Sequence, residues 1–431
     1  MRVVDIIAKK RDKQTNTEEE INFLIQSYLA DESIKYQVAA WLMAAFLNGL
    51  TTNETAYLTK AMLNSGDILT INSSKPLVDK HSSGGVGDKI SIPLAPLAAS
   101  MGLAVPMMSG RALGITGGTV DKLEAITGYR TNLTNTEFLA IIKESGYAMT
   151  SQTATIAPAD KLIYGLRDVT ATVENTGLIT ASILSKKIAE GAQALLFDVK
   201  CGSGAFMKNI EQATNLANSL VQAAKAMGRP AMALITNMNQ PLGLMTGNFL
   251  EIEESIVTLQ GKGPADITAL VVKQAAAMAV LGGLAKEPEA GEELAQQKLA
   301  GGEALEYFYN NIKLQGGDVA KLKADVGTRR AVYSYNITAR EAGYLKIDAG
   351  LIGQSGVVLG VGRNKTEDTV DSEAGFIFNY KNGAKVNKGQ QLVTLYASDE
   401  AKLAASVQLA EQAFSFSNEY TADELIYKVI S

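Results

Sequence analysis

The sequence predicts an α/β fold with a separate all-helical lobe and a C-terminal α+β module, a two-lobed cleft lying over a mixed, mostly parallel central sheet. Three observations carry this. Residues 1–66 read as helical throughout. From Leu77 short apolar runs alternate with glycine turns and helical patterns, as in a parallel sheet covered by helices. After about Tyr335 the chain changes to short apolar runs separated by Gly and Asn-Gly turns.

Thr17-Glu18-Glu19-Glu20 has the capping-box pattern, and INFLIQSYLA behind it has helical apolar spacing. Residues 36–47 and 54–63 predict two more helices, the second stopping at Ser65-Gly66. Strands are predicted at 77–79, 104–108, 194–198 and 231–236. KLIYGLRDVTATV and ITASILSKKIAEG, between Pro158 and about Glu190, interrupt them with helical patterns and read as a return to the helical lobe. The expected division is 1–66 plus 158–190 (helical), 67–157 plus 191–335 (α/β) and 336–431 (C-terminal, β-rich). Gly261-Lys262-Gly263-Pro264 is a turn before more helix, and 286–302 is charged, alanine-rich surface helix. REAGYLKIDAGLIG, SGVVLGVG and GFIFNYKNGAKVNKGQQLVTLYA predict short strands. The piece GAKVNKGQQLVTLYA resembles the hairpin of lipoyl-type sandwich domains, without the flanked lysine that such carriers modify, so a structural module is expected.

The 431 residues carry a net charge of −5, and 46% are hydrophobic, which suits a globular protein with a sizeable core. No basic run suggests nucleic acid, and no apolar stretch reaches membrane-spanning length. MRVVDIIAKKRDKQ lacks the apolar core of a signal peptide, so a cytoplasmic location is expected. The single cysteine, Cys201, excludes an internal disulfide framework and a cysteine-cluster metal site.

Lys80-His81-Ser82-Ser83-Gly84-Gly85-Val86-Gly87-Asp88 holds the only histidine. It follows an apolar run and precedes SIPLAPLAASMG, in which Pro93 suits a first helical turn. Strand, glycine loop and helix aim backbone N–H groups at an anion. A second glycine loop, Ser109 to Glu124, follows the 104–108 run. Adjacent parallel strands would place both loops at the carboxyl edge of the sheet, offering Ser, Thr, Lys and amides to a phosphate. A third group is Tyr164-Gly165-Leu166-Arg167-Asp168 with Ser182 and Lys186. Four apart on a helix, Ser182 and Lys186 share a face, and with Arg167 they supply donors for a ligand rich in carbonyl oxygens.

These stretches, with Leu166-Arg167-Asp168-Val169-Thr170-Ala171-Thr172-Val173 and Asp198-Val199-Lys200-Cys201-Gly202-Ser203-Gly204-Ala205-Phe206-Met207, resemble the thymidine and pyrimidine-nucleoside phosphorylase family end to end. The resemblance implies a homodimer whose lobes close on a cleft. It implies reversible phosphorolysis of pyrimidine nucleosides to the free base and (2-deoxy)ribose 1-phosphate, in pyrimidine salvage, with no organic cofactor. By motif, Lys80, His81, Ser82, Ser91, Ser109 and Thr119 would hold phosphate. Arg167, Ser182 and Lys186 would hold the pyrimidine, with Tyr164, Leu113, Val173 and Phe206 shaping its pocket. A monovalent cation, potassium, would lie near Gly87, Lys89, Leu242, Met245 and Glu254, mostly on backbone carbonyls.

The chemistry agrees: a departing base needs donors at its carbonyls, and Arg167, Lys186 and His81 are of that type. His81, with a near-neutral intrinsic pKa, is expected as general acid towards the base O2. The chain departs from the family pattern at Ile115, where histidine is common, at Ala112 and Ser83, and at Lys89, where a small polar residue is common. A backbone cation ligand at Lys89 is expected to survive that change. Met107, where broad-specificity relatives often carry lysine, points to a preference for 2′-deoxyribonucleosides. The alternatives are an anthranilate-type phosphoribosyltransferase, whose Gly-Thr-Gly-Gly-Asp loop this chain lacks, and a non-catalytic nucleoside-binding scaffold.

Overall fold

The computed structural model describes residues 1–431 apart from Leu113, Thr116, Asn364, Thr366 and Glu367. The chain begins with α1 (Val3–Arg11), α2 (Glu18–Ala30), α3 (Lys35–Asn48) and α4 (Thr52–Leu63). The Thr17/Glu20 capping box is formed, and a second one, Thr51/Glu54, starts α4. Ile21, Leu24, Trp41 and Leu58 make the core of this bundle. Beneath it the Trp41 indole donates to Asn16 Oδ1 at 2.9 Å, and Lys10 pairs with buried Glu54 at 2.9 Å. Thr17→Ala is expected to lower stability by about 1 kcal/mol, read as an earlier urea midpoint with unchanged slope.

The α/β lobe follows with β1 (Val78–Ser82), α5 (Ser91–Ser100), β2 (Val105–Ser109), α6 (Thr119–Glu124), α7 (Asn135–Ser145) and β3 (Tyr147–Ser151). After α8 (Pro158–Val169) and α9 (Thr176–Ala189) come β4 (Ala194–Cys201), α10 (Ile210–Ala226) and β5 (Ala231–Asn237). β1, β4 and β5 pair in parallel, as do β2 and β3. One parallel bridge, Leu77↔Ala104, sets β2 beside β1 at their starts. The sheet therefore runs β3-β2-β1-β4-β5. Chain order reverses around β1, and ligands of such sheets bind outside the carboxyl ends at that reversal, here β1 and β4. β3 is absent from the sequence reading: YAMTS is too short and mixed to declare itself.

α9 joins the lobes. Leu178 and Ala181 in its first half pack into the helical bundle, whereas Leu184, Ile188 and Ala189 pack with the sheet. Whatever this helix presents at mid-length is thus held at the junction.

β6 (Met245–Gly247), α11 (Asn248–Leu259), α12 (Ala265–Leu281), α13 (Pro288–Ala300), α14 (Glu303–Leu314) and α15 (Val319–Asp325) complete this part. The C-terminal module holds β7 (Tyr333–Thr338), β8 (Gly343–Ile347), α16 (Ala349–Leu359), β9 (Gly375–Phe378), β10 (Lys385–Val386), β11 (Gln391–Ala397), α17 (Glu400–Ala410) and β12 (Phe414–Ser417). They form two antiparallel sheets, β6-β9-β11-β7 and β10-β8-β12. The expected strands in AGLIG and SGVVLG are instead α16, capped by Asp348, which accepts from the Leu351 N–H at 2.9 Å. A short, wholly apolar run carries no period to separate helix from strand. The last strand, β13 (Ile426–Ile430), leaves the module and pairs antiparallel with β5, while β6 joins the module's sheet. Among the described residues no helix is long and apolar enough to cross a membrane.

Candidate active site

Lys80, His81 and Ser82 lie on β1 itself, so strand alternation puts Lys80 and Ser82 on one face and His81 on the other. Buried Lys80 Nζ is 3.2 Å from Ser91 Oγ at the start of α5 and 3.5 Å from Asp198 Oδ2 on β4. Lys200, two residues along β4, takes Asp198 at 2.7 Å and stands 3.7 Å from Asp88. Ser82 Oγ donates to Asp88 Oδ2 at 2.5 Å. Asp198 also accepts from Thr236 (2.6 Å) and Gln274 (2.7 Å). Two lysines and two aspartates thus form a closed, charge-balanced group at the carboxyl ends of β1 and β4.

The four do not share equally. Burial opposes charge on Asp88, but Lys200, Lys80 and Lys122 hold its carboxyl far below the usual range. Burial also opposes charge on Lys200, yet Asp198 and Asp88 outweigh it and raise its pKa. For Lys80 burial wins, and the ammonium pKa is lowered despite the same two carboxylates. Lys80 is the under-compensated cation of the group, and an incoming anion would repair that. Asp88, Asp198 and Lys200 were not assigned from sequence. The signal was there: charges at 198 and 200 in a strand buried along its whole length demand partners.

The second loop lies alongside. Ser82 and Ser109 each stand five residues beyond the Leu77↔Ala104 bridge, so β1 and β2 end level. Thr119 opens α6, and Lys122 on that helix donates to the Asp88 carbonyl at 2.7 Å and pairs with Glu251 at 2.7 Å. A Cβ on Gly118 would come within 2.1 Å of the Ala112 nitrogen, so only glycine lets the loop close on α6. Gly118→Ala is expected to displace Thr119 and raise the phosphate KM by up to about 10²-fold, with a smaller change in melting temperature. Ile115 is turned to the C-terminal module: a Cβ on Gly353 of α16 would lie 2.8 Å from its Cβ. Leu113, expected in the base pocket, lies outside the described residues.

The third group is assembled at the junction. Lys186 pairs with Asp160 of α8 and donates to Ser182 Oγ at 2.8 Å, on the shared face expected of that spacing. Arg167 is buried and gives three N–H groups to the carbonyls of Thr172 (3.2 Å), Leu178 (3.1 Å) and Val173 (2.5 Å). A guanidinium has five such donors, so two remain for a ligand. Tyr164, 39% exposed, lies 5.8 Å from the Arg167 guanidinium, and Phe206 on the loop after β4 is 52% exposed. Behind them Lys187 pairs with Asp79 (2.6 Å) and Glu190 (3.1 Å), a buried brace between α9 and β1 that sequence reading missed.

His81 departs from the near-neutral expectation. Burial, then the positive charges of Lys187, Lys186 and Lys80, push its pKa well below the ordinary histidine value. These causes favour the neutral imidazole while no anion is bound.

Gly87, Lys89, Leu242, Met245 and Glu254 are also brought together, but around a side chain. Lys89 Nζ donates to the Leu242 carbonyl at 2.8 Å and lies 2.8 Å from Glu254 Oε2. Glu254 accepts the Leu244 N–H at 2.7 Å and the Met245 N–H at 3.2 Å, and the Gly87 carbonyl accepts the Lys89 N–H at 2.9 Å.

Known proteins match this architecture part by part. The glycosyl transferase family a/b domain matches residues 74–305 and the helical bundle domain of the same family residues 4–66. The pyrimidine nucleoside phosphorylase C-terminal domain matches residues 344–417. Pyrimidine-nucleoside phosphorylases of Staphylococcus aureus strains bovine RF122 / ET3-1 and N315 are each 42% identical over 433 residues, covering 100% of both chains. Anthranilate phosphoribosyltransferase from Thermus thermophilus superposes with a TM-score of 0.60 at 19% identity, over 72% of this chain and 98% of that one, which establishes a common fold. With identity spanning the helical bundle, the sheet and the C-terminal module alike, the chain belongs to the pyrimidine-nucleoside phosphorylase family, and it is a pentosyltransferase.

Proposed function

We propose that this enzyme catalyses the reversible phosphorolysis of pyrimidine nucleosides (thymidine, deoxyuridine and uridine), giving the free base and (2-deoxy)ribose 1-phosphate, in pyrimidine salvage. The observation that carries the reading is Lys80: a buried ammonium, 3.5 Å from its nearest carboxylate, at the point where chain order in the sheet reverses. Inorganic phosphate is the anion that the surrounding hydroxyls of Ser82, Ser91, Ser109 and Thr119 suit.

In this reading a phosphate oxygen attacks C1′ of the sugar while the C1′–N1 bond breaks and its electron pair leaves with the base. Lys186 and the two uncommitted N–H groups of Arg167 donate to the base carbonyls, where the negative charge develops. Lys186 is kept in place by Asp160 and Ser182. His81 starts neutral; a bound phosphate dianion offsets the three lysines that depress its pKa and favours the imidazolium. The imidazolium gives its proton to the base at O2 as the C1′–N1 bond breaks, and the imidazole regains one from the sugar hydrogen phosphate that forms, so sugar phosphate and neutral base result. Tyr164 and Phe206 are exposed aromatic surface that a seated pyrimidine would cover.

Base release from thymidine and uridine, followed by absorbance with and without phosphate, tests the proposal. Release that requires phosphate supports it. Equal release without phosphate would make the protein a hydrolase, and nucleoside binding without release would make it a scaffold.

A further inference from the structure

The potassium ion that the family resemblance implies does not fit these residues as they stand. Lys89 Nζ already sits 2.8 Å from both Glu254, the one side-chain ligand in the expected set, and the Leu242 carbonyl, and Glu254 further accepts the Leu244 and Met245 N–H groups. The Lys89 side chain is fully buried, so its ammonium has no other place to go. A second ammonium covers the other side of the same loop: Lys381 Nζ contacts the Pro241 carbonyl, the Gly243 carbonyl at 2.9 Å and Asp266 at 2.9 Å. Two lysines therefore face two carboxylates, Glu254 and Asp266, and the local charge is balanced. A metal ion added between Lys89 and Glu254, whose side chains are buried, would be a third positive charge with no third carboxylate.

We infer that the Lys89 ammonium is a tethered, permanent substitute for the monovalent cation, and that this enzyme is indifferent to potassium. An ammonium group and a potassium ion are of similar size and both seek carbonyl and carboxylate oxygens; the lysine differs in being covalently fixed. Its place in the chain gives the substitution a consequence. Lys89 follows Asp88, which holds Ser82 and faces Lys200, so the clamp between Lys89 and the 242–245 segment fixes the first glycine loop from behind. Lys89 is a positioning residue: it sets the phosphate loop without touching substrate. The geometry of that loop is then independent of an exchangeable ion.

Thermal melting tests this without reference to turnover, so its failure is distinguishable from failure of the proposed reaction. At a fixed ionic strength of about 0.1 M, wild-type protein is expected to melt at the same temperature in KCl as in tetramethylammonium chloride, whose cation is too large for the site. Lys89→Ser should melt earlier in tetramethylammonium and recover saturably with potassium, as binding to the native state alone requires. Its base-release kcat/KM should rise about tenfold or more over the same titration, while the wild-type value stays flat. A saturable potassium response of the wild-type melting temperature would overturn the inference, and it decides the matter alone if the variant fails to fold. A folded Lys89→Ser with no response to potassium would overturn it equally.

Discussion

Lys80→Ala is expected to lower kcat/KM for phosphate by about 10²–10³-fold, the range for removal of one preorganised donor at a reacting anion. The fold should survive, for a specific reason. Asp198 keeps Lys200 at 2.7 Å together with Thr236 and Gln274, so no carboxylate is orphaned when Lys80 goes. Lys200→Ala is the contrast. It takes from Asp198 its partner at 2.7 Å and from Asp88 a cation at 3.7 Å, and loss of one member of a buried pair costs about 3–5 kcal/mol. Steady-state kinetics at varied phosphate, with urea unfolding of both variants, separates the lysine that binds substrate from the lysine that holds the fold. Equal stability losses in the two would contradict this division.

His81→Gln should lower kcat by about 10²–10⁴-fold, the usual contribution of a positioned proton donor, with a smaller effect on KM. Two pH signatures should accompany it. In the ternary complex the reaction needs the imidazolium, so wild-type kcat at saturating phosphate declines as pH rises through the His81 pKa of that complex. The variant lacks this alkaline limb. The second signature belongs to the phosphate-free protein. Its His81 pKa is depressed by burial and by Lys187, Lys186 and Lys80, so between that value and the unfolded one the unfolded chain binds the proton and the native chain does not. Stability from this source is complete above about pH 6.5 and is lost as pH falls below it. Against His81→Gln, the wild type should lose unfolding free energy on acidification, and added phosphate should reduce the difference.

What could be read from the sequence was what is local. The Thr17/Glu20 capping box, the glycine loops after β1 and β2, and the Ser182/Lys186 face are each settled within a few residues, and they stand where the patterns place them. The helix α16 was missed because its apolar run has no period, and β13 because nothing in IYKVI names β5 as its neighbour. The role of Lys89 could not be read either, since its partners Leu242 and Glu254 lie more than a hundred residues away (a separation of 153 for Leu242). Ile115 marked a lost polar group in sequence. In the structure it packs towards Gly353, so the loop that carries Thr119 leans on the C-terminal module. His81 illustrates the same limit in electrostatics: its intrinsic pKa is a property of the side chain, but its actual one is set by lysines from α9 and β1.

In the proposed reaction phosphate, held against Lys80 at the carboxyl ends of β1 and β4, is the nucleophile at C1′. Phosphorus NMR of the products, run as thymidine is consumed, tests it most directly. A sugar 1-phosphate signal growing in step with free base, and about 10²–10³-fold slower in Lys80→Ala, is the predicted result. Free deoxyribose with the inorganic phosphate signal unchanged would show that water, not phosphate, attacks C1′.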